Sequence, residues 1–214
     1  MMVAIAILGS GGCSKSEDFV LERKQTKGYS QGHEWVDLGL SVKWATCNIG
    51  ASNPQEYGDY IAWGEVYEKS YYDDENCETF GKYYNSLPSS KDAARKRWGD
   101  TWRMPTETEV FELVTKCAYR WISKSGVLGY EFTGPNGNSI FIPAGGSIYG
   151  SSISDIGYEA MLWTTSPAND CDDDDWENIG SYILYYDHES GVNPSFTWYA
   201  RRSLGLNIRP VLAK

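Results

Sequence analysis

Tryptophan and tyrosine dominate the aromatic residues of this chain, and glycine is nearly as frequent as the two together. The 214 residues include 9 Trp and 16 Tyr against 6 Phe, with 22 Gly. Trp and Tyr join an apolar ring to a polar tip and favour half-exposed positions, while glycine permits tight turns. This combination favours short strands and turns over a helical bundle. Hydrophobic residues make up 41% of the chain, enough for the core of one domain.

The formal net charge is −10. Negative charge repels phosphate backbones and anionic lipid headgroups, so we expect no nucleic-acid binding and no electrostatic docking on a membrane. No apolar stretch reaches the roughly 18 residues that a transmembrane helix needs. The sequence therefore predicts membrane association only through a lipid anchor.

The N-terminal residues resemble the leader of a bacterial lipoprotein. Residues 1–8 are apolar, residues 9–12 are small, and Cys13 follows directly. Small residues let a signal peptidase reach the backbone, and the cysteine thiol then carries the lipid. We expect a signal peptide remnant at 1–12 and lipidation at Cys13. The alternative is a frayed apolar terminus with an incidental cysteine, since no Lys or Arg precedes the apolar run.

Residues 13–32 contain mainly Lys, Glu, Ser, Gln and Gly, and this composition predicts a flexible tether. The acidic pair Glu17–Asp18 resembles the surface-export signals of lipoproteins from the Bacteroides group. We therefore expect an extracytoplasmic protein, lipid-anchored at the outer membrane or cell surface. The globular domain is expected at 33–214.

Alternating apolar residues predict most of the strands. A hairpin is indicated at 130–146, where Pro135-Asn136-Gly137 separates two alternating runs. Further runs predict strands over the segments 36–48, 60–65, 161–166, 181–187, 195–200 and 207–213.

Two helices are predicted between these strands. The first covers Ser89–Gly99, with Ser89 or Ser90 as its cap and Gly99 as its end. The second covers Pro105–Cys117 and begins with a capping box of Thr106 and Glu109. Strands at both ends with two helices between them predict an α+β fold.

Six segments in order resemble the major paralogous domain family first named from Fibrobacter succinogenes, which is widespread in Bacteroides-type lipoproteins. The resemblance covers about residues 34–212. The matching segments are VDLGLSVKWATCNIGA (36–51), EYGDYIAWGE (56–65), WGDTWRMPTETEVFEL (98–113), GPNGNSIFIPAGG (134–146), LWTTSP (162–167) and RRSLGLNIRPV (201–211).

The resemblance implies a C-type-lectin-like fold with paired terminal strands, two helices and mainly antiparallel sheets. The family has no firm common activity, so the fold alone does not give the function. Enzymes related to this fold use a reactive cysteine pair late in the chain. Here the last cysteine is Cys171, which lies in an acidic loop, so their activity is not expected.

No residue pattern indicates catalysis. The two histidines, His33 and His188, lack metal-ligand spacing, and no motif pairs a nucleophile with a histidine. The chain also lacks a phosphate-binding glycine loop. The sequence therefore predicts a protein without enzymatic activity and without a required cofactor.

The four cysteines after Cys13 allow three disulfide connectivities. Cys47 and Cys117 lie in apolar segments and suit buried thiols, whereas Cys77 and Cys171 lie in polar loops. If one pair is bridged, the loop pair Cys77–Cys171 is favoured.

An acidic run at residues 170–177 is either a solvated surface or a calcium site, because close like charges repel without a cation. The solvated surface is the favoured interpretation. The candidate calcium ligands are Asp172, Asp173, Asp175 and Glu177.

Aromatic and basic residues late in the chain suggest a ligand surface, since aromatic rings stack on sugar rings while polar groups bind the hydroxyls. The alternative is that these residues are the core and surface positions of two paired strands. The candidate residues are Trp176, Tyr185, Trp198, Tyr199 and Arg201.

Two functions follow as hypotheses. The first is a surface-exposed lipoprotein with a non-enzymatic binding or adhesion domain, with glycans or a cell-surface protein as partner. The second is a structural subunit of a cell-surface or fimbrial lipoprotein assembly.

Overall fold

A computed structural model describes residues 25–168, 180–187 and 195–214 of the chain. Within the last strands, residues 182–183, 186–187 and 195–198 are described by their backbone alone. The described residues form an α+β fold whose strand pairs are antiparallel throughout the named sheets, which confirms the predicted fold class.

A five-stranded sheet joins the two ends of the described chain in the order β1-β2-β3-β13-β4. Its central pair brings β3 beside β13, with Val211 opposite Trp44. The strands of this sheet are β1 (Lys27–Ser30), β2 (His33–Asp37), β3 (Val42–Ala45), β4 (Trp102–Arg103) and β13 (Val211–Ala213).

The outer strand β1 lies within the stretch 13–32 that the sequence predicts as a tether. The Thr26 carbonyl accepts a hydrogen bond from Asp37 N (2.8 Å), and the Ser30 carbonyl accepts one from Trp102 Nε1 (3.0 Å). Gly28 faces the Trp35 ring so closely that a Cβ there would lie 2.6 Å from it. The folded domain therefore begins before residue 33, and residues 27–32 belong to the sheet.

Two helices occupy opposite sides of this sheet: α1 (Ala93–Trp98) and α2 (Glu107–Lys116). The predicted capping box of α2 is confirmed, with Thr106 and Glu109 each bonding the other's backbone N–H. The predicted cap of α1 is wrong. Ser89–Lys91 form a 3-10 turn, and Asp92 caps the helix, because its buried carboxylate accepts from both Arg95 N and Met104 N.

The remaining sheets are small. The order β5-β6-β7 contains the predicted hairpin, while β10-β11-β12 holds the later strands and β8-β9 forms a separate hairpin. Their bounds are β5 (Ala118–Lys124), β6 (Val127–Thr133), β7 (Ser139–Pro143), β8 (Ser147–Tyr149), β9 (Ser152–Ser154), β10 (Glu159–Pro167), β11 (Gly180–Asp187) and β12 (Ser195–Arg201).

Two predicted strands differ from the structure. Residues 60–65 make only an isolated bridge, Ile61 with Leu206, because the chain turns at Gly64 with a φ of +75°. The final strand is limited to Val211–Ala213, because Pro210 has no N–H to donate to a neighbouring strand.

The hydrophobic core lies on both faces of the five-stranded sheet, because alternate residues of each strand point to opposite sides. Trp35 and Ala45 face the α1 side, while Val36 and Trp44 face the α2 side. Trp44 is fully buried, as are Trp63 and Trp163. These three tryptophans fill the core.

Arg209 is a fully buried cation that joins its own segment to residues 45–48 and to β7. Its guanidinium donates to Asn48 Oδ1 (2.8 Å) and to the carbonyls of Ala45, Thr46 and Phe141 (2.9–3.2 Å). Burial lowers its pKa to about 10, so it remains charged at neutral pH.

Candidate functional site

A cleft of about 500 Å³ opens where strands β1, β2 and β3 end beside the last turn of α1. It combines aromatic rings with hydroxyl, amide, thiol and carboxylate groups. The residues that line it are Tyr29, Gly32, His33, Glu34, Thr46, Cys47, Ala51, Ser52, Asn53, Pro54 and Trp98.

The β1–β2 hairpin positions one wall of the cleft. Two residues, Gln31 and Gly32, join the strands, and both have positive φ angles, +51° and +83°. Positive φ at both loop positions is typical of the tight hairpin turn that matches the twist of two strands. The turn sets Tyr29 directly opposite Glu34.

Tyr29, Glu34 and Thr46 form a row across three neighbouring strands. The Glu34 carbonyl accepts a hydrogen bond from Thr46 N (3.1 Å), and Glu34 pairs with Tyr29 on its other side. Directly opposed side chains in antiparallel strands have Cβ atoms about 5 Å apart. Tyr29, which is 73% exposed, is therefore the direct cross-strand neighbour of Glu34, and Thr46 lies on the other side of Glu34.

His33 covers the buried Trp98 ring beside the cleft. Their rings stack with centroids 3.7 Å apart and planes 7° from parallel, and the edge of Trp102 supports the stack from behind. Partial burial lowers the pKa of His33 from its usual 6.5. The imidazole is therefore neutral at pH 7 and can donate one hydrogen bond and accept another.

A turn fixed by Glu56 forms the opposite rim. Its carboxylate accepts hydrogen bonds from Ser52 N (2.7 Å), Asn53 N (3.3 Å) and Asn53 Nδ2 (2.7 Å). The bond from the Asn53 side chain is the main reason that the pKa of Glu56 is lowered. Glu56 thus stabilises the loop, and the Asn53 Oδ1 atom remains as a hydrogen-bond acceptor at the rim.

The cleft contains one histidine and one cysteine. His33 and Cys47 both line it, but the Cys47 sulfur lies next to Thr46 Oγ1, 3.7 Å away, and no hydrogen bond within the described residues joins it to His33. The described part of the chain also holds no group of three His, Cys, Asp or Glu side chains placed to bind a metal ion.

A second pocket of about 290 Å³ lies beside the loop at residues 64–69. Four of its five charged residues are paired with one another, and Glu68 pairs with Arg97 (3.6 Å). Lys69 Nζ lies 2.9 Å from Glu65, and Lys91 Nζ lies 2.8 Å from Glu78. A ligand would have to compete with these ion pairs, so the first cleft is the better candidate.

Four residues of the predicted aromatic surface lie in the sheet β10-β11-β12, and the three whose side chains are described do not form one surface. Tyr185 packs against the core on the α1 side, and its hydroxyl donates to Glu159 (2.9 Å). Tyr199 precedes Ala200, which belongs to that same cluster, so Tyr199 lies on the opposite face. Arg201 binds Asp74 (2.8 Å). The structure thus separates residues that the sequence places together.

For the other predicted site residues, the structure describes either the backbone alone or nothing. The backbone puts Trp198 opposite Ile183 in the sheet, but its side chain is not described. The lipidation residue Cys13 lies outside the described residues, as do Trp176, His188 and the candidate calcium ligands Asp172, Asp173, Asp175 and Glu177.

Three of the four domain cysteines are described, and all are free thiols: Cys47, Cys77 and Cys117. Cys117 is buried as predicted, and burial raises its pKa to about 11. Cys77 is also buried, although its polar sequence context predicts an exposed loop. Its favoured partner, Cys171, lies outside the described residues.

Sequence reasoning missed the central residues of the cleft. It assigned Tyr29 to the tether and gave Glu34 and Trp98 no role in binding. The two-residue turn Gln31-Gly32 between alternating segments is the local signal that could have revealed β1 and so the first wall. The contact of His33 with Trp98 joins residues far apart in sequence and has no local signal.

Comparison with known proteins finds no matching family model, no matching curated protein and no matching solved structure. Within the described ranges, no helix has the length and hydropathy of a membrane span.

Proposed function

We propose that this chain is a surface-exposed lipoprotein whose domain is a non-enzymatic binding or adhesion module, and that the cleft at the end of β1-β2-β3 takes a sugar ring. The observation that carries the proposal is the row Tyr29–Glu34–Thr46 in the lining of the cleft, at the same end of the sheet as the His33–Trp98 stack, which lies on the α1 side. It replaces the late aromatic residues as the candidate glycan site.

Sugars present two kinds of surface to a protein. Their C–H faces pack on flat aromatic rings, while their hydroxyls need donors and acceptors around the ring edge. The exposed Tyr29 ring offers the first kind of contact. Glu34, Thr46 and Asn53 offer the second, since all three line the same cleft.

We propose the C-type-lectin-like fold, within the Fibrobacter paralogous domain family, as the finer description of the α+β architecture. Three features support it: the first strands pair with the last one through β3 and β13, two helices lie between them, and a separate antiparallel sheet follows. Cys13 as lipid anchor and the outer membrane or cell surface as location remain part of the proposal, supported by the leader sequence.

A glycan array probed with residues 25–214 tests the binding function. We expect Tyr29→Ala to reduce binding of the glycans that the wild type captures by at least about tenfold, because the stacking surface is lost. The matched control is Tyr158→Ala, which removes another exposed tyrosine (53% exposed) outside the cleft. If no glycan is captured, or if both variants bind as the wild type does, the proposal is wrong.

A structural role in a lipoprotein assembly is the second candidate, and one feature favours it. Apolar side chains are exposed around the β8–β9 hairpin, and such surfaces often mark protein contacts. These residues are Tyr149, Ile153, Ile156 and Tyr158, which are 41–54% exposed. Co-purification of a fixed protein partner, lost in Ile153→Ser with Ile156→Ser, would support this role.

A further inference from the structure

We propose that the cleft selects neutral saccharides over acidic ones and that Glu34 is the residue that makes this choice. The inference rests on the proposed glycan function and names the ligand class for that same site. In this proposal Glu34 contacts the ligand directly and determines its specificity.

The charge of the cleft lining carries the inference. Of the eleven residues that line it, Glu34 is the one with a carboxylate side chain, and none is Lys or Arg. Within the described residues, the Glu34 carboxylate makes no ion pair and no side-chain hydrogen bond. An acidic sugar in contact with Tyr29 would therefore meet an uncompensated negative charge.

The basic side chains of β1, β3 and α1 form no part of the cleft lining. Lys43 lies over the Trp35 ring (3.9 Å), Arg95 binds the Asp100 carbonyl (3.0 Å), and Arg97 binds Asp59 (2.6 Å). Lys27 and Lys96 are exposed and form no part of the lining.

Arg209 binds the backbone carbonyl of Thr46 in the cleft wall (2.9 Å), and its contacts limit its effect on a ligand. The guanidinium is fully buried, and its bonds to three carbonyls and one amide oxygen direct four oxygen dipoles toward it. No described atom of Arg209 lines the cleft. A ligand therefore faces the Glu34 carboxylate directly and the Arg209 charge only through the backbone.

A free carboxylate is also a suitable acceptor for a neutral sugar. An ionised Glu has two oxygens that accept hydrogen bonds and has no donor, so it can bind two adjacent sugar hydroxyls. Hydrogen bonds to a charged acceptor are about twice as strong as neutral ones. Glu34 therefore attracts hydroxyls and repels carboxylate or sulfate groups at the same position.

The magnitude follows from Coulomb's law. Two like charges about 5–8 Å apart at a protein surface repel enough to weaken binding by roughly tenfold, and physiological salt screens only partly over about 8 Å. We expect neutral glycans to bind at least about tenfold more tightly than the same glycans carrying one acidic group.

The test is an array on which neutral oligosaccharides, including lacto-N-neotetraose and chitotetraose, stand beside versions carrying one sialic acid or one sulfate. Wild type, Glu34→Gln and Glu75→Gln are compared by their ratio of neutral to acidic binding. Glu75 is exposed and lies outside the cleft lining, so its variant removes the same charge elsewhere. We expect the ratio to fall in Glu34→Gln to about one third of its wild-type value or less, and to stay unchanged in Glu75→Gln.

The outcomes separate the two proposals. If no glycan binds at all, the proposed function is wrong and the inference falls with it. If glycans bind but acidic versions bind equally or better, only the charge selection is overturned. A ratio that Glu34→Gln leaves unchanged, or that Glu75→Gln lowers equally, would show that Glu34 is not the selecting residue.

Discussion

The His33 imidazole gains its position by stacking on Trp98 and is partly removed from water. Because burial disfavours the charged form, the folded-state pKa of His33 lies below its unfolded value of 6.5. The unfolded chain therefore binds more protons as the pH falls through 6.5, and the contribution of His33 to stability decreases. Above that pH the contribution is fully present.

The direction of this pH dependence can be measured with His33→Phe, a variant that keeps an aromatic ring but has no titrating group. Urea unfolding at several pH values should show a loss of stability below about pH 6.5 that is smaller in His33→Phe. An NMR titration of the wild-type imidazole should give a pKa below 6.5. A pKa above 6.5, or identical pH profiles for both proteins, would contradict the stacked and partly buried environment.

Arg209 should be among the most costly residues to replace. Arg209→Met would leave Asn48 and three backbone carbonyls buried without their donor, and each such group costs about 1–3 kcal/mol. We expect the free energy of unfolding to fall by more than about 3 kcal/mol. Arg120→Met is the control, because Arg120 pairs with Glu131 at an exposed position and should cost less than about 1 kcal/mol. Equal losses would refute the role assigned to Arg209.

At the scale of elements, β1 depends on contacts that the rest of the sheet provides. Its backbone and Gly28 cover Trp35, and Ser30 accepts from Trp102. Removing residues 1–24 should leave the melting temperature unchanged, whereas removing residues 1–32 should reduce stability by about 2–4 kcal/mol, since several hydrogen bonds are lost at about 1 kcal/mol each. Equal melting temperatures for the two truncations would place the start of the domain at residue 33.

The elements also show which structural signals the sequence contains. The capping box at Thr106 and the Pro135-Asn136-Gly137 turn depend on residues within a few positions of each other, so both could be predicted. The N-cap of α1 could not be predicted in this way. Its residue, Asp92, also accepts a hydrogen bond from Met104 N, twelve residues away. The cleft combines β1, β2 and α1, and no local pattern indicates their contact.

At the scale of the whole molecule, the proposed lipid anchor at Cys13 precedes the folded domain by a short length of chain. The first described strand is only a short chain length beyond Cys13, so lipidation would hold the domain close to the membrane surface. We expect wild-type protein expressed with residues 1–24 to sediment with membranes and Cys13→Ala to remain in the soluble fraction. A mass increase of a diacylglyceryl group on Cys13 would be the direct chemical sign. Equal membrane association of both proteins would refute lipid anchoring.

The opening of the cleft at the end of the five-stranded sheet is the centre of the functional proposal. The most direct measurement is NMR mapping of backbone amide shifts while a neutral oligosaccharide captured on the array is added to residues 25–214. We predict shifts that cluster at Tyr29, His33, Glu34, Thr46 and Asn53 and that disappear in Tyr29→Ala. Shifts that cluster instead around Tyr199 and Arg201, or no shifts at saturating sugar, would contradict the assignment of the cleft as the binding site.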